Sequence, residues 1–389
     1  MSHLRLTLFC LLFCLSAGWR AEALPIYYNT SSAATALNTL DSVATNGSSN
    51  ATLLTATGVD GNKLNRCTAV AVDALNGKLF LIDGAANALW SVNLNGSGLA
   101  LIKSGLTSFP TDLALDVLNQ QIYFTTSSTI QDNNTVQRVD YTGSNNVSLF
   151  TATGASGNGV SRCTAMAVDV SNSKIFIADA GTQKIWSMSL NGTGLTALAT
   201  AATAIPTGLA LDTTNQQVYF TSSSPVQNAN LIQRVKYNGS SLATLFTASG
   251  SVQRCTALDL DLPHATIYLS DAGANTLWRI PLGGGSATTV LNGLTATAKK
   301  VRWFSGPTTR PAPGLVGLHL SGTNIVLNAT NGFVGGTYYV LTSTNLALPL
   351  SQWLPVFTNV LGASGNFTLT ATNTSVFNSP RQFYVLRVQ

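Results

Sequence analysis

The sequence predicts an all-β protein whose main body is a six-bladed β-propeller, and three observations predict it. The tetrapeptide Arg-Cys-Thr-Ala recurs at Arg66, Arg162 and Arg254, 96 and then 92 residues apart. A second kind of unit, opening on Pro110-Thr111 and Pro206-Thr207, alternates with it. The repeat region also begins with three strands of such a second unit and ends with the strand that unit lacks.

The elements follow in chain order. Residues 6–15 are apolar apart from Thr7, follow Arg5 and precede Ala21-Glu22-Ala23, so residues 1–23 read as a secretory signal cleaved after Ala23. The run is too short for a membrane span. The remaining 366 residues carry 18 basic and 14 acidic side chains, and a net charge of +4 spread over such a length is no nucleic-acid footprint. With 45% hydrophobic residues the whole chain is rich enough in apolar side chains to build a core, which excludes disorder. No glutamate follows Ala23, so any carboxylate chemistry falls to aspartate.

The propeller is expected over residues 24–305. Each Arg-Cys-Thr-Ala leads into a strand closed by Asp73, Asp169 or Asp261, a second strand (LFLID, IFIAD, IYLSD) and a third bearing Trp90, Trp186 or Trp278. An Asn-Gly turn follows in two of them, the dipeptide favoured in tight hairpins. The intervening units run through LALD to Asp116 and Asp212, then through NQQIYFTTSS and NQQVYFTSSS. IYYNTSS from Ile26 matches the second strand of these units, and NGLTATAKKVRWF (residues 292–304) matches their first. One blade is therefore shared between the two ends of the repeat region. A radial array is the arrangement that suits units unable to bury their own faces, and closing it removes the open edges of a linear stack.

The pattern AVD, KLFLID, LW and NLNGSG resembles the YWTD repeats of low-density-lipoprotein-receptor class B propellers, grouped with TolB-like six-bladed propellers. The resemblance covers residues 26–304, although the tetrapeptide has drifted to Phe80-Leu81-Ile82-Asp83 in odd blades and Tyr123-Phe124-Thr125-Thr126 in even ones. It implies blade architecture and no receptor function. Residues 306–313, with three prolines among residues 307–313, read as a linker. Residues 314–389 return to short strands separated by Gly, Asn and Pro, as expected of a small β-sandwich. STNLALPLSQWLPVFTN with GNFTLT and QFYVLRV resembles C-terminal immunoglobulin-like modules of bacterial exported proteins, which implies attachment or accessory binding.

Eight of the 14 aspartates lie at fixed repeat positions, where an Asp before a turn accepts backbone N–H bonds without any chemistry. Asp112, Asp132 and Asp259 lie off those positions. Asn-x-Ser/Thr sites coincide with several Asn-Gly turns, which hairpin geometry alone explains. Cys67, Cys163 and Cys255 are spaced around the ring and are expected as free thiols, since equivalent atoms so placed cannot reach disulfide distance. Strand parity puts the longer connections, 31–40, 127–136, 223–232, 58–66, 154–162 and 250–254, on one face, whose Ser, Thr, Asn and Gln content suits a polar, glycan or protein ligand. There, at the channel mouth, Arg66, Arg162 and Arg254 are the candidate residues for binding an anionic group, because guanidinium forks match carboxylate or phosphate. The leading reading is an exported, non-catalytic binding or adhesion scaffold, secreted or at the cell surface, with no metal or cofactor. The alternative is a secreted hydrolase or lyase using aspartates on the loop-rich face.

Overall fold

The computed structural model describes residues 25–388 except 129, 131–132, 202–203, 305–313, 322–323, 331–336, 346, 349–351, 361–366 and 373–382. The expected signal (1–23), the expected linker (306–313) and Asp132 lie outside the described residues. Among the described residues no helix is long and apolar enough to cross a membrane.

Residues 22–307 form one compact unit. It contains six four-stranded antiparallel sheets, the blades. Blade one starts with Cys67–Asp73, blade two with Phe109–Asp116, blade three with Cys163–Asp169, blade four with Ile205–Asp212 and blade five with Cys255–Asp261. Blade six is composite: Thr297–Trp303 lies beside Pro25–Ser31, with Tyr28 opposite Val301 and Ser31 opposite Thr297, followed by Thr39–Ala44 and Ala51–Thr55. The six first strands touch in an unbroken circle, and Thr297–Trp303 contacts both Cys255–Asp261 and Cys67–Asp73. They are the innermost strands.

Burial explains why the second strands are apolar on both faces. Leu79, Phe80, Leu81 and Ile82 of Lys78–Asp83 are all buried. Leu79 and Leu81 pack with Tyr27 and Leu40 of blade six, whereas Phe80 and Ile82 pack with Leu113 and Phe124 of blade two. Successive side chains of one strand thus enter two different inter-blade cores, as the two-residue period of a strand requires. The outermost strands, such as Val147–Thr151, are largely exposed.

Each innermost strand carries a β-bulge at its second or third residue: Thr68, Thr111, Thr164, Thr207, Thr256 and, in blade six, Lys299. A bulge re-aims one side chain, and here it turns hydroxyls toward the next blade. Thr111, Thr164, Thr207 and Thr256 donate to the carbonyls of Cys163 (3.3 Å), Pro206 (2.9 Å), Cys255 (3.5 Å) and Ala298 (3.3 Å). At the junction from blade six to blade one, where lysine replaces threonine, Asn29 Nδ2 makes the corresponding bond to Cys67 O at 2.8 Å.

A second circle of contacts runs through the turns after the third strands. A Cβ added to Gly96 would stand 2.1 Å from Leu53 O in the preceding blade. Gly47, Gly143, Gly192 and Gly284 meet the carbonyls of Val290, Ile102, Leu149 and Leu245 in the same way, and Gly239 faces Leu198 O less closely, at 3.2 Å. These glycines have φ between 81° and 93°. The Asn-Gly dipeptides therefore serve inter-blade contact as well as hairpin geometry. Tyr141 and Tyr237 of the even blades add bonds to Asp73 (3.1 Å) and Asp169 (2.9 Å) of the odd blades before them.

Residues from Thr308 onward belong to a second unit. Gly314–Ser321, Asn324–Thr330 and Phe367–Thr372 form one three-stranded sheet. Leu354–Val360, Thr337–Ser343 and Phe383–Val388 form another. Trp353 and Leu341 are buried together, and Trp353 Nε1 donates to Leu348 O at 3.0 Å.

Candidate functional site

The periodic aspartates hold backbone. Asp73, Asp116, Asp169 and Asp212 each accept the N–H and the side-chain amide of the Asn three residues on, at 2.7–3.0 Å. Asp261 holds His264 in that place. Asp83, Asp179 and Asp271 reach further. Asp83 accepts the N–H groups of Asn65 (2.6 Å) and Arg66 (3.0 Å) with those of Ala85 and Ala86. Asp179 and Asp271 do the same for Arg162 and Arg254, both at 2.8 Å. The carboxylates that look repetitive in sequence thus fix the backbone of the three candidate arginines at the entrance to the innermost strands.

The arginine side chains are free of those carboxylates. Among the described residues the ion pairs are His264–Asp261, Lys300–Asp112 and Arg302–Asp112, and none involves Arg66, Arg162 or Arg254. Arg162 and Arg254 are exposed, and Arg66 is half-buried. The Arg66 guanidinium lies 5.2 Å from the centre of the Phe109 ring, a cation–π contact that steadies it, and its buried Nε has no partner. Arg66 and Arg254 flank the strand that carries Lys299. That lysine is held below the ordinary value by partial loss of water around its ammonium and then by the charges of Arg254 and Arg66. Arg162, two blades away from either flanking arginine, does not contribute to this group.

Deeper along the same strands lies a charged cluster made by departures from the repeat. One residue past the bulge, four blades carry Ala69, Ala165, Gly208 and Ala257, whereas blades two and six carry Asp112 and Lys300. Two residues further on, four blades carry Ala71, Ala114, Ala167 and Ala210, and blades five and six carry Asp259 and Arg302. Lys300 Nζ meets Asp112 Oδ2 at 2.6 Å with both side chains buried, and Arg302 stands 3.7 Å from Asp112 Oδ1. Asp112 also accepts the N–H groups of Met166 (3.0 Å) and Leu113 (2.9 Å), so it ties blades six, two and three together. Asp259 accepts Trp303 N–H at 2.8 Å. Burial raises the Asp259 carboxyl, opposed by Arg302, the Trp303 and Leu260 N–H groups and Lys300. Burial lowers Lys300, opposed chiefly by Asp112.

Of the three aspartates that carry the hydrolase reading, two are therefore committed to cations and backbone donors. Among the described residues no three His, Cys, Asp or Glu side chains converge. Cys67, Cys163 and Cys255 are free and buried, and burial pushes the Cys255 thiol up to about 12, with Cys67 and Cys163 also raised. Such thiols are packing groups rather than nucleophiles. Trp90, Trp186 and Trp278 are buried against the outer strands of the preceding blades.

No protein-family model matches the chain, and no curated protein matches its sequence. Solved structures do match in fold. A chain of the nidogen/laminin complex superposes with a TM-score of 0.59 at 14% identity, over 72% of this chain and 97% of that one. TolB from Acinetobacter baumannii gives 0.56 at 12% identity, over 74% and 68%. The likeness is that of a YWTD- or TolB-like six-bladed propeller.

Proposed function

We propose that this protein is an exported, non-catalytic binding scaffold that presents the loop-rich face of its propeller to a polar or protein partner outside the cytoplasm. The observation that carries this reading is the division of labour among charges. The fixed-position and axial carboxylates engage backbone N–H groups or cations, whereas Arg66, Arg162 and Arg254, at the ends of the innermost strands, form no ion pair with a carboxylate among the described residues. Gln227 Nε2, from the 223–232 connection, donates to Gly250 O (3.0 Å) and Val252 O (2.6 Å), so two of the long connections touch, which supports a shared loop-rich face. The nidogen chain that resembles this one in fold was solved in a complex with laminin, which favours a protein partner. Residues 314–389 serve in this reading as an immunoglobulin-like sandwich for attachment or accessory binding.

The test is a protein and glycan array probed with the purified protein beside its Arg66→Gln/Arg162→Gln/Arg254→Gln variant. The reading expects hits that the triple variant loses while its thermal unfolding stays unchanged. Hits that survive the triple substitution unchanged would remove the arginines from the account. Turnover of an ester or polysaccharide substrate abolished by Asp112→Asn or Asp259→Asn would overturn the non-catalytic reading.

A further inference from the structure

In a repeat scaffold, residues that depart from the repeat where the repeat residue would satisfy the fold are not needed for folding. Lys299 is such a residue. Threonine occupies its bulge position in the other five blades, and in four of them its hydroxyl bonds the next blade's carbonyl. Asn29 supplies that bond at the lysine's junction, so the Lys299 side chain has no part in joining blades six and one. It is exposed, and the neighbouring innermost strands begin directly after Arg66 on one side and Arg254 on the other. The backbone N–H groups of both arginines are pinned by Asp83 and Asp271, which fixes where the two side chains leave the chain. None of the three forms an ion pair among the described residues, and the buried Arg66 Nε has no acceptor. Three like charges carried at the entrances of adjoining strands, with no ion pair among the described residues, repel one another, and a bound anion relieves that repulsion.

We infer that Arg66, Lys299 and Arg254 form an asymmetric carboxylate-binding site over the composite blade, and that its ligand is an acidic side chain of a partner polypeptide. The inference rests on the binding-scaffold reading and narrows it: the threefold set of arginines is reduced to two, and a lysine outside that set becomes the central contact. Two guanidinium forks can each hold a carboxylate in two parallel bonds, while the lysine supplies a point charge between them. The mutual proximity of the charges is reflected in Lys299 itself, whose ammonium Arg254 and Arg66 disfavour. A carboxylate placed among them reverses the sign of that influence.

The experiment uses the purified protein, a fluorescein-labelled hexa-aspartate peptide and its hexa-asparagine counterpart, read by anisotropy at low and physiological salt. Lys299→Thr restores the residue that five blades already carry, so the variant is expected to fold, and circular dichroism melting verifies it. Binding of hexa-aspartate only, weakening with salt, is expected. Lys299→Thr and Arg254→Gln should each weaken it about fivefold or more, and Arg162→Gln less than about twofold. With ¹³C-labelled lysine, the Cε resonance that disappears in Lys299→Thr should titrate at higher pH when the peptide is bound. Equal weakening by Arg162→Gln and Arg254→Gln with no effect of Lys299→Thr overturns this assignment and leaves the three-arginine reading standing. Absence of binding, or binding indifferent to all three substitutions, overturns both.

Discussion

Replacing Lys300 with alanine puts at that position the residue that blades one, three and five already have, yet it should be among the most damaging single changes in the propeller. The Asp112 carboxylate is fully buried. Without Lys300 it keeps the N–H groups of Met166 and Leu113 and an Arg302 nitrogen 3.7 Å away. Removing one partner of a buried ion pair costs about 3–5 kcal/mol, and the surviving donors place this case near the lower end, about 3 kcal/mol. Asp112→Ala alone strands a buried ammonium at similar cost. Removing both leaves neither member of the pair stranded, with Arg302 still beside Asp259 and the Met166 N–H lacking its acceptor, at about 1–3 kcal/mol. The double variant should therefore be no less stable than either single variant. Urea unfolding at pH 7, followed by tryptophan fluorescence, gives the three free-energy differences and hence the coupling between the sites. If the two single losses simply add in the double variant, the pair is not a coupled unit and the reasoning fails.

Gly96→Ala should destabilise by more than about 1 kcal/mol, because it combines a left-handed φ of 83° with a Cβ only 2.1 Å from Leu53 O; Gly77→Ala, at φ 65° with nothing within 4 Å, isolates the backbone strain alone. The difference between their thermal unfolding temperatures measures the inter-blade contact. Asn29→Ala removes the side-chain donor to the buried Cys67 O and should cost about 1–3 kcal/mol, read by the same denaturant titration. Because burial raises the Asp259 carboxyl above its unfolded value near 3.8, the native state binds more protons than the unfolded one from that pH up to the folded value, so its contribution falls as pH rises through that window. Asp259→Asn should remove that part of the pH dependence of stability, and an unchanged stability profile from pH 3.5 to about 7 would contradict it.

The blades were legible because each unit repeats its apolar strands and turn residues, so that alignment of Ile26 with Ile122 and of Asn292 with Ser104 was enough to assign strands at both ends of the repeat to one blade. The role of the fixed aspartates was legible for the same reason: a carboxylate before a turn has local donors within three residues. What the sequence did not show is contact across blades. The Asn-Gly turns satisfy a hairpin rule by themselves, and nothing local indicates that Gly96 must also clear the carbonyl of Leu53. The Lys300–Asp112 pair joins residues 188 positions apart in units of different completeness, and only their common place one residue past the bulge relates them. Lys299 is less conspicuous in the sequence than the recurrent arginines, because a repeat displays what it keeps. A column of five threonines and one lysine is the signal that could have found it.

The composite blade is the point on which ring, axial pair and cationic site all depend, and a crosslink tests it most directly. Ser31 and Thr297 are directly opposed in the antiparallel pair of Pro25–Ser31 and Thr297–Trp303, where facing Cα atoms stand about 4.5–5.5 Å apart, within disulfide reach. A Ser31→Cys/Thr297→Cys variant, oxidised at low protein concentration and mapped by non-reducing peptide mass spectrometry, should yield one peptide joining the two cysteines. It should form no disulfide-linked dimer and unfold at higher denaturant than its reduced form. Free thiols at both positions after oxidation, or crosslinks found only between separate molecules, would contradict closure of the ring by its own two ends.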